Sequence, residues 1–187
     1  MSLRFALLAA LLEGDASGYE LSKVFDVSSA NFWSSTPQQL YRELERLEAD
    51  GLVDVEVVPQ ERRPTKKVLS LNAAGRAALH AFASAPAKPP AMRVELMVKV
   101  QAADVADLDA LIASVDELAV GSRAKVRLFE RLRDRMLGGR GEEEYLRDAE
   151  RVGPYLTLER GLAFERANVA WAERVHAVLA ARRDAGA

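Results

Sequence analysis

The chain has 187 residues, with 26 Lys and Arg against 28 Asp and Glu, a formal net charge of −2. Apolar residues make up 49% and charged ones 29%, the balance of an ordinary globular protein, which excludes a disordered chain, a collagen-like repeat and a bulk polycation. With no cysteine and only two histidines, His80 and His176, disulfide frameworks, thiolate metal sites, cysteine nucleophiles and a three-histidine metal centre drop out.

The length admits one or two domains. The longest apolar run, Phe5 to Leu12, is eight residues, against the roughly 20 that a membrane-spanning helix needs. Glu13-Gly14-Asp15 follows it at once, where a secretory signal would place small cleavage-site residues. A cytoplasmic protein with no membrane partner is expected.

Leu3 to Leu12 is apolar almost all round, and Gly14-Asp15 stops it. A helix without a polar face is enclosed by neighbours, from its own chain or from a second copy, so Leu3 and Leu7 are candidates for a dimer contact. Ser17 and Glu20 form a capping box for a second helix, with Leu21, Val24 and Phe25 on its apolar side. The third helix has a T-x-x-Q capping box, Thr36 to Gln39, and Pro37 at its first position. Leu40, Leu44 and Leu47 form its inward stripe, and Gly51 is its left-handed cap. Two runs with alternating apolar residues, Asp54–Val58 and Lys67–Leu71, flank a turn-prone tip and read as a hairpin. Asn72 caps a fourth helix with Leu79 and Phe82 inward.

Residues 84–92 hold three of the seven prolines and read as a semi-rigid linker between a first domain, 1–83, and a second, 93–187. The second reads as helix throughout: a short helix at Val94–Val100, a long one at Ala106–Leu137, a break at Gly138-Gly139-Arg140-Gly141, and a last one from Pro154 to Ala181. That last helix has two apolar faces. One holds Phe164, Ala167, Trp171, Val175 and Val178; the other holds Leu158, Leu162, Val169, Ala172 and Leu179. One face suits the subunit core and one a second copy, with Leu158, Leu162, Val169 and Leu179 as dimerisation candidates. A central helix in a monomeric bundle is the alternative.

Helix, helix, capped helix, hairpin with a basic tip, helix is the order of a winged helix-turn-helix. The major groove, about 12 Å wide, admits one helix whose first turns reach base edges. With the leucines inward, Gln38, Arg42 and Glu45 face outward, flanked by Gln39, Tyr41 and Arg46. Gln pairs with adenine and Arg with guanine; Glu45 repels phosphate unless it accepts from cytosine or pairs with Arg42 or Arg46. A solvated helix exterior is the competing reading. Arg62, Arg63, Lys66 and Lys67 put four cations into six residues, in a first domain that holds nine Lys and Arg against eleven Asp and Glu. Positive charge is thus focused at a tip that can reach phosphates, or else is a solvated loop.

Other signals point nowhere catalytic. Gly138 to Gly141 lacks the Gly-Lys-Ser/Thr ending of a phosphate-binding loop, His80 and His176 read as structural, and Glu142-Glu143-Glu144 suits a helix N-terminus. Ser34 and Ser35 have no base near them in sequence. No enzyme, cofactor or metal site is expected.

Ser17-Gly18-Tyr19-Glu20-Leu21, Phe32-Trp33 and the run Gln39-Leu40-Tyr41-Arg42-Glu43-Leu44 through Gly51-Leu52-Val53 resemble the PadR family of bacterial transcriptional regulators. The likeness extends through Leu71-Asn72-Ala73-Ala74-Gly75-Arg76, and Glu95–Val100 and Gly161–Trp171 look like the family's helical C-terminal domain. The resemblance implies a mainly α fold: a winged helix-turn-helix domain with one β-hairpin wing, then an all-helical dimerisation domain. It implies a homodimeric repressor on a pseudo-palindromic operator in double-stranded DNA, relieved in some members by a small aromatic effector. It would set Tyr19 and Tyr41 near the DNA backbone. The candidate DNA-contacting set is therefore Tyr19, Thr36, Gln38, Gln39, Tyr41, Arg42, Arg46, Arg62, Arg63, Lys66 and Lys67. Trp33 and Trp171 are candidates for an effector pocket, or else core. Val68 stands where the family's wing carries an aromatic. The rival reading is a winged-helix adaptor that docks proteins and has little affinity for DNA.

Overall fold

In the computed structural model, which describes residues 3–24, 35–59, 65–87 and 93–186, the chain forms two compact units, 1–89 and 90–187. The first unit runs α1 (Leu3–Ala10), β1 (Ala16–Ser17), α2 (Gly18–Val24), α3 (Pro37–Ala49), β2 (Val53–Val58), β3 (Lys66–Leu71) and α4 (Ala73–Ser84). The strands form one antiparallel sheet in the order β1-β3-β2. Val53 pairs with Leu71 and Val58 with Lys66, so β2 and β3 are the hairpin read from the alternating pattern.

β1 is an addition to the sequence reading. Ser17 was expected only as a helix cap, and it is one: Ser17 Oγ accepts from the Glu20 amide at 3.3 Å while Glu20 Oε2 accepts from the Ser17 amide at 2.8 Å. A cap residue has extended backbone, and here that two-residue stretch lies against β3, pairing Ala16 with Leu69 and Ser17 with Val68. α3 keeps its expected box, with Thr36 Oγ1 accepting from the Gln39 amide at 3.2 Å and Gln39 Oε1 accepting from the Thr36 amide at 3.0 Å. Gly51 has φ +66°, the left-handed conformation that ends the helix.

The unit closes over one core: Leu7, Leu8 and Leu11 of α1, Leu21 of α2, Leu40, Leu44 and Leu47 of α3, and Val53, Leu69 and Leu71 of the sheet. The inner side of α1 is therefore covered by its own unit. Leu7 is 0% exposed in that core and Leu3 packs on it, so the expected dimer contact through Leu7 is corrected: its surface is used within the chain. Phe5 and Phe82 stack with ring centroids 4.1 Å apart, joining α1 to α4.

The second unit holds α5 (Glu95–Gln101), a 3-10 turn at Ala103–Val105, α6 (Leu108–Leu137), α7 (Glu142–Asp148) and α8 (Gly153–Gly186). α6 and α8 lie antiparallel, as the ion pairs Arg183–Asp109 and Arg166–Glu130 require. The buried positions of α8, Tyr155, Leu158, Leu162, Glu165, Ala172 and Leu179, keep a three-four spacing against Ile112, Val115, Ala119, Ser122 and Phe129 of α6. That is the seam of an antiparallel helix pair. Leu96 and Val100 of α5 pack on the same seam.

Candidate nucleic-acid interface

α3 is held by its three buried leucines, and this fixes which residues are presented outward. Gln38, Tyr41, Arg42 and Glu45 are exposed at helical spacing, and Tyr41 is 45% accessible. Tyr41 is seated by Gly18: a Cβ at Gly18 would lie 2.6 Å from Tyr41 Cε1, so the absent side chain makes room for the ring. Tyr19, the next residue, is 61% exposed, with Lys23 Nζ 4.7 Å above its ring. Contact with the Tyr19 side chain raises the Lys23 amine above its ordinary value.

Among the described residues, most charges around this face are paired. Arg4 of α1 bridges Glu43 and Asp50, and Arg46 reaches back to Glu43 at 3.2 Å. Lys67 Nζ lies 3.1 Å from Glu48 Oε2, and Lys66 Nζ 2.9 Å from Glu20 Oε1. Glu20 accepts in addition from the Ser17 amide and hydroxyl; these bonds and Lys66 hold its carboxyl down to about 2. Among the described residues, Arg42 and Glu45 have no ion-pair partner.

Several expectations change accordingly. Gln39 gives its carbonyl to the helix cap, accepting from the Thr36 amide, so that oxygen is committed within the helix start. Arg46 pairs with Glu43 rather than with Glu45. Lys66 and Lys67 are each neutralised inside the unit. Arg62, Arg63 and Trp33 lie outside the described residues. What sequence reasoning missed is the acids: Glu20 and Glu48 stand far from the wing along the chain, and no spacing rule links them to it. Gly18, by contrast, was visible as part of the Gly-Tyr-Glu-Leu run.

A family model described as Transcriptional regulator PadR-like family matches residues 7–81, and one described as Virulence activator alpha C-term matches residues 92–180. A probable transcriptional regulator of Mycobacterium tuberculosis is 29% identical, the match covering 98% of this chain and all of the relative. Bacillus subtilis PadR, solved in complex with operator DNA, superposes with a TM-score of 0.74 at 23% identity over 95% of this chain and 98% of that one. The virulence activator AphA of Vibrio cholerae superposes with a TM-score of 0.69 at 30% identity, over 97% of this chain and 99% of that one. The chain belongs to the PadR-like family. It is a transcriptional regulator of that family, with its winged-helix and helical architecture, and not an enzyme.

In this PadR-like regulator the helical unit fixes which face of α8 its own chain uses. Leu158, Leu162 and Leu179 are buried against α6, Leu162 completely, so the face of α8 expected to meet a second copy is the one that meets its own chain. The stripe left outward is the other: Phe164, Ala167 and Val178 are exposed, and Trp171 is half-buried against the Val115–Ala119–Ala172 cluster. Trp171 is thus a core-edge residue. Val169 lines an open groove of about 270 Å³ with Val126, Ala170 and Arg127. Among the described residues, no helix is long and apolar enough to cross a membrane.

Proposed function

We propose that this regulator is a cytoplasmic, sequence-specific repressor that binds a pseudo-palindromic operator in double-stranded DNA as a homodimer. The observation that carries this reading is the outward row of α3: Gln38, Tyr41 and Arg42 exposed at the capped end of the helix, with Arg42 carrying no ion-pair partner among the described residues. A helix N-terminus whose arginine and glutamine are uncommitted is a base-reading surface. Tyr19 and the Thr36 hydroxyl stand beside it to meet phosphates. The DNA-bound PadR of B. subtilis supports this reading by fold, and the name of that relative, a negative transcriptional regulator 32% identical over 78 residues, supports repression. The same protein has been solved with p-coumaric acid, which supports a small aromatic effector here. The outward stripe Phe164, Ala167 and Val178 supports a second copy as its cover.

Selection from a pool of random duplexes tests the proposal. A pseudo-palindromic motif is the expected product, and Arg42→Ala is expected to weaken that duplex by about 1–3 kcal/mol while leaving random DNA unchanged. Equal loss on both would remove Arg42 from base reading. The internal pairing of Lys66 and Lys67 favours the rival reading, a winged-helix adaptor with little DNA affinity, and failure to enrich any motif would establish it.

A further inference from the structure

Adjacent residues on a strand point to opposite faces of a sheet, and β3 opens with two adjacent lysines. On one face Lys66 Nζ lies 2.9 Å from Glu20 Oε1 of α2. On the other Lys67 Nζ lies 3.1 Å from Glu48 Oε2 of α3. Glu20 cannot follow the lysine outward without releasing the Ser17 amide at 2.8 Å and the Ser17 hydroxyl at 2.7 Å, which cap α2.

We propose that Lys66 and Lys67 are positioning residues that strap the wing strand to both helices of the reading unit, rather than groups that neutralise DNA phosphates. A lysine free to meet phosphate would stand clear of carboxylates; these two are held by them. One exposed ion pair is a weak restraint. Two on opposite faces of one strand oppose tilting in both directions, so the spacing between wing and α3 is set before DNA arrives and need not be ordered on binding. The functional consequence rests on the DNA-binding reading above; the strap itself does not.

The Lys67–Glu48 pair is the one to test, because Glu48 caps nothing. Lys67→Gln and Glu48→Gln are each expected to weaken binding to the selected duplex by about two- to fivefold, the range of an exposed ion pair. The slope of log K against log salt should stay at the wild-type value, and the swap of Lys67→Glu with Glu48→Lys should restore affinity. A phosphate-binding Lys67 gives the opposite pattern. Glu48→Gln would then tighten binding, Lys67→Gln would lower the slope by about 0.9 for each phosphate lost, and the swap would be weakest. Either sign reversal overturns the strap. Hydrogen exchange without DNA reads it independently: amides of Lys66–Leu69 should exchange faster in both single variants and recover in the swap. Unchanged exchange in the single variants would also overturn it. Should wild type bind no duplex while exchange follows the expected pattern, the strap stands and the DNA-binding reading falls.

Discussion

Two glycines show how a missing side chain positions the reading unit. At Gly18 the space is taken by the Tyr41 ring, a flexible neighbour. At Gly75, in the first turn of α4, an added Cβ would lie 2.1 Å from the Leu52 carbonyl oxygen and 2.7 Å from Leu71 Cδ1. A backbone oxygen cannot step aside as a side chain can. Gly75→Ala should therefore cost about 1–3 kcal/mol, the range of an overpacked core, although alanine by itself favours a helix by about 1 kcal/mol. Urea unfolding checks this: the midpoint should fall with the slope unchanged. A rise of about 1 kcal/mol would mean that α4 relaxes away from Leu52.

At the scale of elements, the α6–α8 seam has a polar layer between two apolar ones. Glu165, 1% exposed, takes Lys125 Nζ at 2.8 Å on one oxygen and Asn168 Nδ2 at 3.3 Å on the other. The apolar clusters on either side contain Ala119 and Ala172, and Phe129 and Leu162. A buried carboxylate with one cation is costly to strand and less costly to neutralise. Lys125 is half-exposed, so solvent screens what is left when it goes, and Lys125→Ala should cost about 1–2 kcal/mol rather than the 3–5 of a fully enclosed pair. Glu165→Gln keeps an acceptor for Asn168 and removes the charge, so it should cost less. Thermal unfolding of the two variants gives the order; the reverse order would show that the seam needs the charge itself. A single polar position of this kind also fixes register, because sliding one helix past the other would bury Glu165 without Lys125.

For the whole molecule, the charges committed inside the first unit bear on how the protein meets DNA. With Arg4, Arg46, Lys66 and Lys67 paired internally, these four cations of the first unit are not free to displace counterions from DNA on the proposed dimer. Neutralising four or five phosphates gives a salt slope near −4, from about −0.9 for each phosphate. A slope shallower than about −2 would speak for the adaptor. Light scattering at micromolar concentration should return twice the chain mass of 20.5 kDa. Val178→Asp, which puts a charge on the outward stripe of α8 without touching the α6 seam, should move the mass toward one chain at unchanged helicity. A Val178→Asp protein that stays dimeric would place the interface elsewhere.

What could be read from the chain alone is what short-range rules govern. Thr36, Pro37 and Gln39 mark a helix start through hydrogen bonds three residues apart, Gly51 marks its end through a backbone that only glycine adopts easily, and Leu40, Leu44 and Leu47 choose its inner face by the helical period. The exposed row of Gln38, Tyr41 and Arg42 follows from those same residues, so the candidate reading surface was legible before the fold was known. Choices between partners were not. The two apolar faces of α8 are alike in sequence, and only the position of α6 decides that Leu158, Leu162 and Leu179 turn inward while Phe164 and Val178 stay outside. Lys66 and Lys67 read as free cations until α2 and α3 bring Glu20 and Glu48 within 3.1 Å of them. An ion pair depends on distance in space, and residues 46 and 19 positions apart acquire that distance only when the chain has folded.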